Sequence, residues 1–268
     1  MTSPLTFGSS QGTLGDSMWV TPLLRAFPGS TLRMFDTPSC RNVAQVYEGL
    51  VDHVEFCADP GVPPTVDLPT HVSQRMLVAA GRPDDSIIPC IKLKEEEISW
   101  ARTFLAQFGD PARMMVIHTH NSGWADPQNH FARHVKPPHD FMQLLTVMAR
   151  IRKGYRVLQF CNEPWPGKPD NFDPLEDTIH VRGLTLRQTA ACYHVIGRMI
   201  SGDTGDPYLA LAAGARVVFL MCPEVDWAGY RHHNVQYTDA LWKGEKPRTR
   251  YHAFVDWYRA SEDLAFDW

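Results

Sequence analysis

The sequence predicts an α/β protein of two domains, each a parallel β-sheet flanked by helices. Strand-like stretches alternate with stretches of helical spacing in both halves of the chain, and a proline-dense region lies between the halves. The length of 268 residues is enough for two modest cores. We therefore expect a first domain over 1–110, a second over 111–248, and a terminal helix over 249–268 that packs back on the first domain.

In the first half, a short apolar start leads through a glycine-containing turn into a helix that Pro28-Gly29 ends. A strand, a helix and a strand follow before the prolines, with one short helix among the prolines and an amphipathic helix after them. The predicted elements are a start at Leu5–Phe7, helices at Ser17–Phe27, Ser39–Leu50, Val72–Ala80 and Lys94–Phe108, and strands at Thr31–Phe35 and Val51–Cys57.

The second half begins after Gly109-Asp110-Pro111 and alternates again. Such alternation favours a parallel sheet with ligands in the crevice beyond the carboxyl ends of its strands. The predicted elements are strands at Met114–His118, Tyr155–Phe160, Thr178–Val181 and Arg216–Leu220, helices at Pro138–Arg152 and Thr185–Val195, and a further strand and helix on either side of Gly202–Gly205.

Composition excludes several classes of protein. The 26 basic and 30 acidic residues give a net charge of -4, so no overall field attracts nucleic acid or an anionic membrane. The six cysteines show no CxxC pair and most lie in apolar runs, so we expect them reduced, as in a cytoplasmic protein. No apolar run reaches the roughly 18 to 20 residues that span a bilayer, and the start of the chain lacks the features of a signal peptide.

The turn Asp203-Thr204-Gly205 is the most informative segment, because it joins an apolar run to a helix rich in alanine and leucine. Helix N-termini carry unpaired N–H groups and partial positive charge, so this turn suits an anionic ligand such as a phosphate. The alternative is that Asp203 or Thr204 is a simple N-cap and Gly205 a tight-packing position. The residues alone leave both interpretations open.

A second polar loop, His118–Trp124, also follows a strand and is rich in hydrogen-bond donors. It is a candidate loop for a phosphate or a sugar, and Arg133, His134 and Lys136 could add positive charge opposite a diphosphate. The alternative is a solvated loop followed by exposed basic residues.

Gly15-Asp16 stands at the strand-to-helix turn of the first half. A carboxylate there can act as the general base that takes a proton from an attacking hydroxyl. The alternative is that Asp16 or Ser17 only caps the following helix.

Metal and dinucleotide motifs are not predicted. Five histidines between His118 and His139 match no compact metal site, and no Cys or acidic partner falls in register with them. The glycines Gly8, Gly12 and Gly15 do not have the spacing of a dinucleotide-binding fingerprint.

Taken together, the two turns resemble glycosyltransferase family 9, the heptosyltransferases that build the lipopolysaccharide core. That family typically opens with a strand, a Gly-Asp turn and a helix with a Thr-x-Pro-like start. Here the matching segment is 14–29, which contains Gly15-Asp16 and Thr21-Pro22. Its C-terminal domain typically has a strand ending in Asp-Thr-Gly and then an alanine-rich helix, which 203–214 match. Leu184 to Val195 looks like the helix that the family places before that strand.

The resemblance implies a GT-B fold, in which two Rossmann-like domains with parallel sheets face a cleft. It implies inverting transfer of a sugar from a nucleotide diphosphate sugar to a hydroxyl acceptor, with Asp16 as the catalytic base and no cofactor. The departing diphosphate would be stabilised by the helix N-terminus and basic side chains instead of a metal. The donor-binding residues that it implies are Thr119, His120, Asn121, Ser122, Arg133, Lys136, Asp203, Thr204, Gly205 and Tyr208.

The chain departs from the family at one position, in one short segment and in length. Tyr208 stands where the family usually has His, Cys222-Pro223-Glu224 replaces a Gly-containing segment, and the N-terminal half is short. We expect the acceptor to be a saccharide or another hydroxyl compound. Nucleic acid is expected as a partner only in the role of an acceptor that carries a hydroxymethylated base. Two alternatives stay open: a nucleotide-sugar epimerase, and a non-catalytic protein that binds nucleotide sugars.

Overall fold

The computed structural model describes residues 5–9, 14–66, 72–119, 139–161, 174–202, 204–221 and 249–253. Within these ranges the chain forms two compact units, the first up to Lys92 and the second from Leu93 onward. Both are α/β, and each strand pairs in parallel with its neighbours.

In the described ranges, the first unit is built on a sheet of three strands. Its elements are β1 (Thr6–Ser9), α1 (Leu14–Ala26), β2 (Thr31–Phe35), α2 (Pro38–Ala44), β3 (His53–Cys57) and α3 (Val72–Ala79). The strand order is β1-β2-β3. Residues of β2 alternate between buried and partly exposed, with Leu32 and Met34 buried, because successive side chains of a strand point to opposite faces.

Helix α1 contains Pro22, which removes a backbone N–H from the helix interior. The hydroxyl of Thr21 donates to the carbonyl of Met18 at 2.7 Å, and that carbonyl is the one the missing N–H would have bonded. The same hydroxyl oxygen accepts from the backbone N–H of Cys90 at 2.9 Å. Thr21 therefore compensates for the proline and also ties a later segment of the unit to α1.

One helix is predicted over Ser39–Leu50, but α2 ends at Ala44 and the chain tightens into a 3-10 turn over Gln45–Tyr47. Gly49 follows with a φ of 78°. Only glycine adopts this conformation readily, so the helix cannot extend to Leu50.

Among the residues that the structure describes, the second unit is built on a sheet of six strands. Its elements are α4 (Glu95–Ala106), β4 (Met114–His118), α5 (His139–Lys153), β5 (Arg156–Cys161), β6 (Ile179–Arg182), α6 (Leu186–Ile196), β7 (Arg198–Gly202), α7 (Gly205–Ala212), β8 (Arg216–Met221) and β9 (Thr249–Ala253). The order is β6-β5-β4-β7-β8-β9. Strand β4 is buried at every residue, as a central strand of a parallel sheet should be. Its Met115 and Ile117 join side chains of α5 and β5 in the core.

The ends of α6 follow from its sequence. Thr185 and Gln188 form a capping box, in which each side chain accepts from the other residue's backbone N–H. Gly197 ends the helix in the left-handed conformation, with a φ of 73°. The predicted helix at Thr185–Val195 is therefore present within one residue at each end.

Helix α4 belongs to the second unit, whereas the sequence places it in the first domain, before a boundary at residue 110. It packs against α6, where the Arg187 guanidinium donates to both carboxylate oxygens of Glu97 at 2.6 Å. The two side chains are only 8% and 21% exposed. An amphipathic pattern shows that a helix buries one face but not which domain covers that face, so the sequence could not assign α4.

A helix is predicted over 249–268, but Thr249–Ala253 form strand β9, paired with β8. The unpaired edge of β8 offers backbone hydrogen bonds, and threonine and tyrosine favour strands, which explains the difference. Phe254, Trp257 and Tyr258, whose helical spacing prompted the prediction, lie outside the described residues.

None of the described helices is both long enough and apolar enough to cross a bilayer. The cysteines in the described ranges are free thiols, and Cys222 lies outside those ranges. Burial raises the pKa of the Cys192 thiol to about 12, so this thiol stays protonated at neutral pH.

Candidate functional site

The strand order of the second unit reverses between β4 and β7. The chain runs outward from β4 through β5 to β6, returns to the other side of β4, and runs outward again through β7 to β9. The connections after β4 and β7 therefore leave the sheet in opposite directions, which opens a crevice at the carboxyl ends of these two strands. His118, the last residue of β4, pairs with Ser201 of β7. Both polar segments singled out in the sequence begin at this crevice.

Thr119, a predicted donor-binding residue, directly follows β4 and is held by a buried amide. The Gln159 side chain donates to the Thr119 hydroxyl oxygen at 2.9 Å, and its carbonyl oxygen accepts from Leu175 N–H and the Thr178 hydroxyl. Gln159 is fully buried and Thr119 is 5% exposed. The Thr119 hydroxyl therefore has a fixed position at the carboxyl end of β4.

Thr204 occupies the N-cap position of α7 but does not act as a cap. Its backbone is extended, and its side chain makes no hydrogen bond to the first turn of the helix. Thr37 and Thr185, the N-cap threonines of α2 and α6, do accept such a bond from Cys40 and Gln188 respectively. The Thr204 hydroxyl oxygen is buried and has no hydrogen-bond partner within the described part of the chain. The structure therefore argues against the simple N-cap interpretation of Thr204.

The hydroxyl of Ser201 is also buried without a hydrogen-bond partner among the described residues. Ser201 is the next-to-last residue of β7 and is fully buried. Buried hydroxyls usually have hydrogen-bond partners. Two buried hydroxyls without partners near the end of β7 therefore indicate a binding site for polar groups.

Asp206 lies in the first turn of α7 and faces the protein interior. Its carboxylate accepts from the Tyr193 hydroxyl at 2.7 Å and lies 3.6 Å from His118 Nε2. Asp206 is 6% exposed, and His118 is 2% exposed. Burial, and then the Asp206 charge, raise the pKa of Tyr193 well above its usual range, so the phenol remains a hydrogen-bond donor. Three elements, β4, α6 and α7, thus meet in one polar cluster beneath the crevice.

The other predicted residues of α7 occupy different environments. Gly205 is the first residue of the helix and is half-buried. Tyr208 lies in the following turn and is 2% exposed, so the protein itself encloses its side chain. Its predicted contact with the donor stays a prediction.

In the first unit, Asp16 lies in the first turn of α1 with a half-buried side chain. The carbonyl of Ser17, the next residue, accepts from the buried Tyr47 hydroxyl at 3.2 Å. Burial raises the pKa of Tyr47, and the Asp16 charge adds to this effect, so Tyr47 remains a neutral donor to the start of α1. The predicted base therefore stands on a helix turn that a neighbouring element holds.

Strand β1, which leads to this turn, is overlaid by a later segment of the first unit. A Cβ atom at Gly8 would lie 2.6 Å from the carbonyl carbon of Gly61 and would collide with the Pro60 carbonyl oxygen. Only glycine permits this approach, which brings the 60–61 backbone against the last half of β1.

Several predicted site residues lie outside the described residues: His120, Asn121, Ser122, Arg133, Lys136 and Asp203. The same holds for Cys222-Pro223-Glu224. Their assignment rests on the sequence alone. Within the ranges that the structure describes, no group of three or more His, Cys, Asp or Glu side chains is placed to hold a metal ion.

Sequence reasoning did not identify Gln159, Tyr193 or Asp206 as parts of the site. Gln159 carried a signal, since it is the one amide within the apolar run of β5. Tyr193 and Asp206 carried none, because their contact joins two helices and a buried tyrosine beside an aspartate has no sequence pattern.

The chain resembles solved glycosyltransferases across both units. It matches the family 9 glycosyltransferase from Veillonella parvula with a TM-score of 0.65 and 14% identity, over 95% of this chain and 87% of that one. The match to E. coli ADP-heptose lipopolysaccharide heptosyltransferase II has a TM-score of 0.63 and 14% identity, over 98% and 96%. The chain has the fold of the family 9 glycosyltransferases.

E. coli heptosyltransferase WaaC with ADP also matches, with a TM-score of 0.54 and 12% identity, over 93% of this chain and 90% of that one. These likenesses confirm the predicted GT-B fold class. No protein-family model and no curated protein matches the sequence. At such identities a likeness establishes a family 9 fold, and an activity has to be argued from the site.

Proposed function

We propose that the chain is a glycosyltransferase that moves a sugar from a nucleotide diphosphate sugar to a hydroxyl acceptor. The observation that carries this proposal is the Thr204 hydroxyl, which is buried at the N-cap of α7 without capping the helix. It lies at the crevice where the strand order of the sheet reverses. A hydroxyl donor, the N–H groups of a first helical turn and the partial positive charge of a helix N-terminus suit the oxygens of a diphosphate.

On the donor side, Thr204 and the Gly205 N–H bind the diphosphate, and Thr119 approaches it from the neighbouring strand end. Asp203 contacts the donor sugar. The residues that would add donors and positive charge are His120, Asn121, Ser122, Arg133 and Lys136. When the bond to the sugar breaks, negative charge grows on the departing phosphate, and these groups stabilise that charge where a metal ion would otherwise be required.

On the acceptor side, Asp16 is the base. It takes the proton of the acceptor hydroxyl as the oxygen attacks the anomeric carbon, and the carbon–oxygen bond to the diphosphate breaks on the opposite face. The new glycosidic bond therefore has inverted configuration, the proton resides on Asp16, and a nucleoside diphosphate leaves. A half-buried carboxylate on a fixed helix turn suits this role.

The donor to test first is an ADP-linked sugar. Two of the similar structures are an ADP-heptose heptosyltransferase and a heptosyltransferase with ADP, which supports adenine as the base. The acceptor is a saccharide or another hydroxyl compound, which includes a hydroxymethylated base in DNA.

The first experiment is a thermal-shift screen of the full chain with nucleoside diphosphates and their sugar conjugates. A ligand that binds only the folded state raises the unfolding temperature, so at least one nucleoside diphosphate should do so. The second step measures release of the nucleoside diphosphate with and without pooled acceptors, and release should require an acceptor.

Two results would contradict the proposal. If no nucleoside diphosphate or conjugate stabilises the protein, the crevice does not bind this class of ligand. If incubation with donor alone converts the sugar into an isomer, the chain is an epimerase and no acceptor is needed.

A further inference from the structure

Asp206 places a negative charge in the helix turn that is proposed to receive an anion. An acidic residue in a first turn stabilises its own helix, but the same charge would repel a diphosphate bound at that N-terminus. The geometry of Asp206 resolves this conflict. The side chain is turned inward and is 6% exposed, so the protein keeps its charge on the interior side of the turn.

Two side chains from different elements lie against this carboxylate. The Tyr193 hydroxyl, from α6, donates to Oδ1 at 2.7 Å. His118 Nε2, at the end of β4, lies 3.6 Å from Oδ2. A hydrogen bond to a charged group is stronger than one between neutral groups. The hydrogen bond from Tyr193 therefore has a large influence on where the Asp206 carboxylate lies.

The cluster also fixes the start of α7 in space. His118 directly precedes Thr119, so the cluster connects the first turn of α7 to the strand end that carries the other candidate donor of the crevice. Tyr193 is itself anchored, because its ring packs edge-on against Phe160 with the ring centres 5.1 Å apart. The spacing between Thr119 and Thr204 therefore depends on the cluster.

We propose that Tyr193 and His118 are positioning residues for donor binding: they hold the Asp206 carboxylate inward and set the α7 N-terminus at the crevice. This inference rests on the proposed function, since it concerns a bound diphosphate. It assigns a role to three buried side chains that do not touch the donor.

The test is ADP affinity of the full chain, measured by titration calorimetry at low and high salt. Tyr193→Phe keeps the ring packing and removes the hydroxyl, so the carboxylate loses this hydrogen bond. We expect ADP to bind about tenfold more weakly at low salt, as for the loss of one hydrogen bond to a charged group, and the loss to shrink at high salt. In an Asp206→Asn background the same change should alter affinity by less than about threefold, because no charge remains to be held.

The matched control is Thr146→Val, which removes one hydrogen bond from a fully buried hydroxyl, the bond from Thr146 to the Met142 carbonyl at 3.0 Å. It lies on α5, outside the crevice, and should leave ADP affinity unchanged. The proposal is overturned if Thr146→Val weakens ADP as much as Tyr193→Phe does. It is also overturned if the effect of Tyr193→Phe is independent of salt and equal in the Asp206→Asn background.

If Tyr193→Phe does not fold, the pair His118→Gln and His118→Leu replaces it. Glutamine retains an N–H donor and should preserve ADP affinity relative to leucine, whereas equal affinities overturn the proposal. If the wild-type protein binds no ADP, the proposed function fails for this nucleotide, and amide exchange without ligand decides the positioning role. Faster exchange at 204–208 in Tyr193→Phe than in Thr146→Val supports that role, and equal exchange overturns it.

Discussion

The two units each place an aspartate in the first turn of a helix that follows a parallel strand, and they direct its charge differently. Asp16 of the first unit has a half-buried side chain, on a turn that Tyr47 holds through the backbone. Asp206 of the second unit is turned inward onto Tyr193 and His118. The same local motif therefore carries a half-buried carboxylate in the first unit and a buried carboxylate, packed against two other elements, in the second.

The N-cap threonines of α2, α6 and α7 also differ in what their hydroxyls bind. The threonines before α2 and α6 accept hydrogen bonds from the turns that they cap. Thr204, before α7, leaves its hydroxyl unused by the helix. With the Asp206 carboxylate turned inward and the Thr204 hydroxyl unused by the helix, the second unit is proposed to receive an anion, whereas the first unit is proposed to supply the base.

Asp16→Asn is the change with the largest expected effect and tests the first half of this comparison. It removes the proposed base, so the transfer rate should fall by about 10² to 10⁴, the usual contribution of a general base. ADP affinity should stay the same, because the donor is proposed to bind to the second unit. The control Asp36→Asn removes an exposed carboxylate of the first unit that pairs with Arg41, and it should leave the rate unchanged. Activity that survives Asp16→Asn would remove Asp16 from the mechanism.

Gly8→Ala tests whether the segment over β1 is part of the first unit's architecture. The added Cβ would collide with backbone at Pro60 and Gly61, so we expect a loss of about 2 kcal/mol or more in the free energy of unfolding. Thr6→Ala, at an exposed position of the same strand, should cost less than about 1 kcal/mol. Denaturant unfolding measures both. Equal costs would show that the close approach does not constrain residue 8.

Glu97→Gln tests whether the ion pair between Glu97 and Arg187 stabilises the packing of α4 on α6 in the second unit. The hydrogen bonds from Arg187 lower the pKa of Glu97 in the folded state. Its stabilisation is therefore complete above the ordinary glutamate pKa of about 4.3 and is lost as pH falls through the lower folded value. We expect Glu97→Gln to reduce stability by about 2 kcal/mol at neutral pH and to flatten this acid dependence.

Glu95→Gln is the matched control for Glu97→Gln. Glu95 lies in the same helix turn and pairs with Arg102 at 3.2 Å, but its side chain is 75% exposed. It should change stability by less than about 0.5 kcal/mol. If the two variants are equally stable at every pH, the Arg187 pair does not hold α4 on α6.

Thr204→Val is the change with the smallest expected effect on free energy and tests the second half of the comparison. It removes one hydroxyl and keeps the shape, so ADP affinity should fall about five- to tenfold, equivalent to about 1 kcal/mol. Because the hydroxyl does not cap α7, the unfolding temperature without ligand should change little. Thr185→Val, which removes a real cap, should show the reverse pattern. Loss of stability without loss of affinity in Thr204→Val would make Thr204 a cap after all.

The sequence predicted most elements because their signals are local. Apolar periodicity, prolines and capping residues located β4 and α6 within a residue or two. The same signals placed Thr204 and Gly205 at the start of a helix after a strand. The resemblance to family 9 added the fold class, which the solved structures confirm.

Features that depend on contacts between distant residues could not be predicted. Helix α4 joins the second unit through Arg187, and β9 pairs with an edge formed far earlier in the chain. The inward direction of Asp206 depends on Tyr193 and His118, which are contributed by two other elements. None of these contacts has a short-range pattern, because each is set by tertiary packing.

The start of α7, at the carboxyl ends of the strands of the second unit, is proposed to receive the diphosphate of a nucleotide. Hydrogen exchange of the full chain with and without ADP tests this binding site, since the amides of a bound helix turn become protected. We expect protection at Thr119 and at 204–208, with no change at the first turn of α1. Protection confined to α1, or ADP binding without protection at 204–208, would show that the diphosphate does not bind at α7.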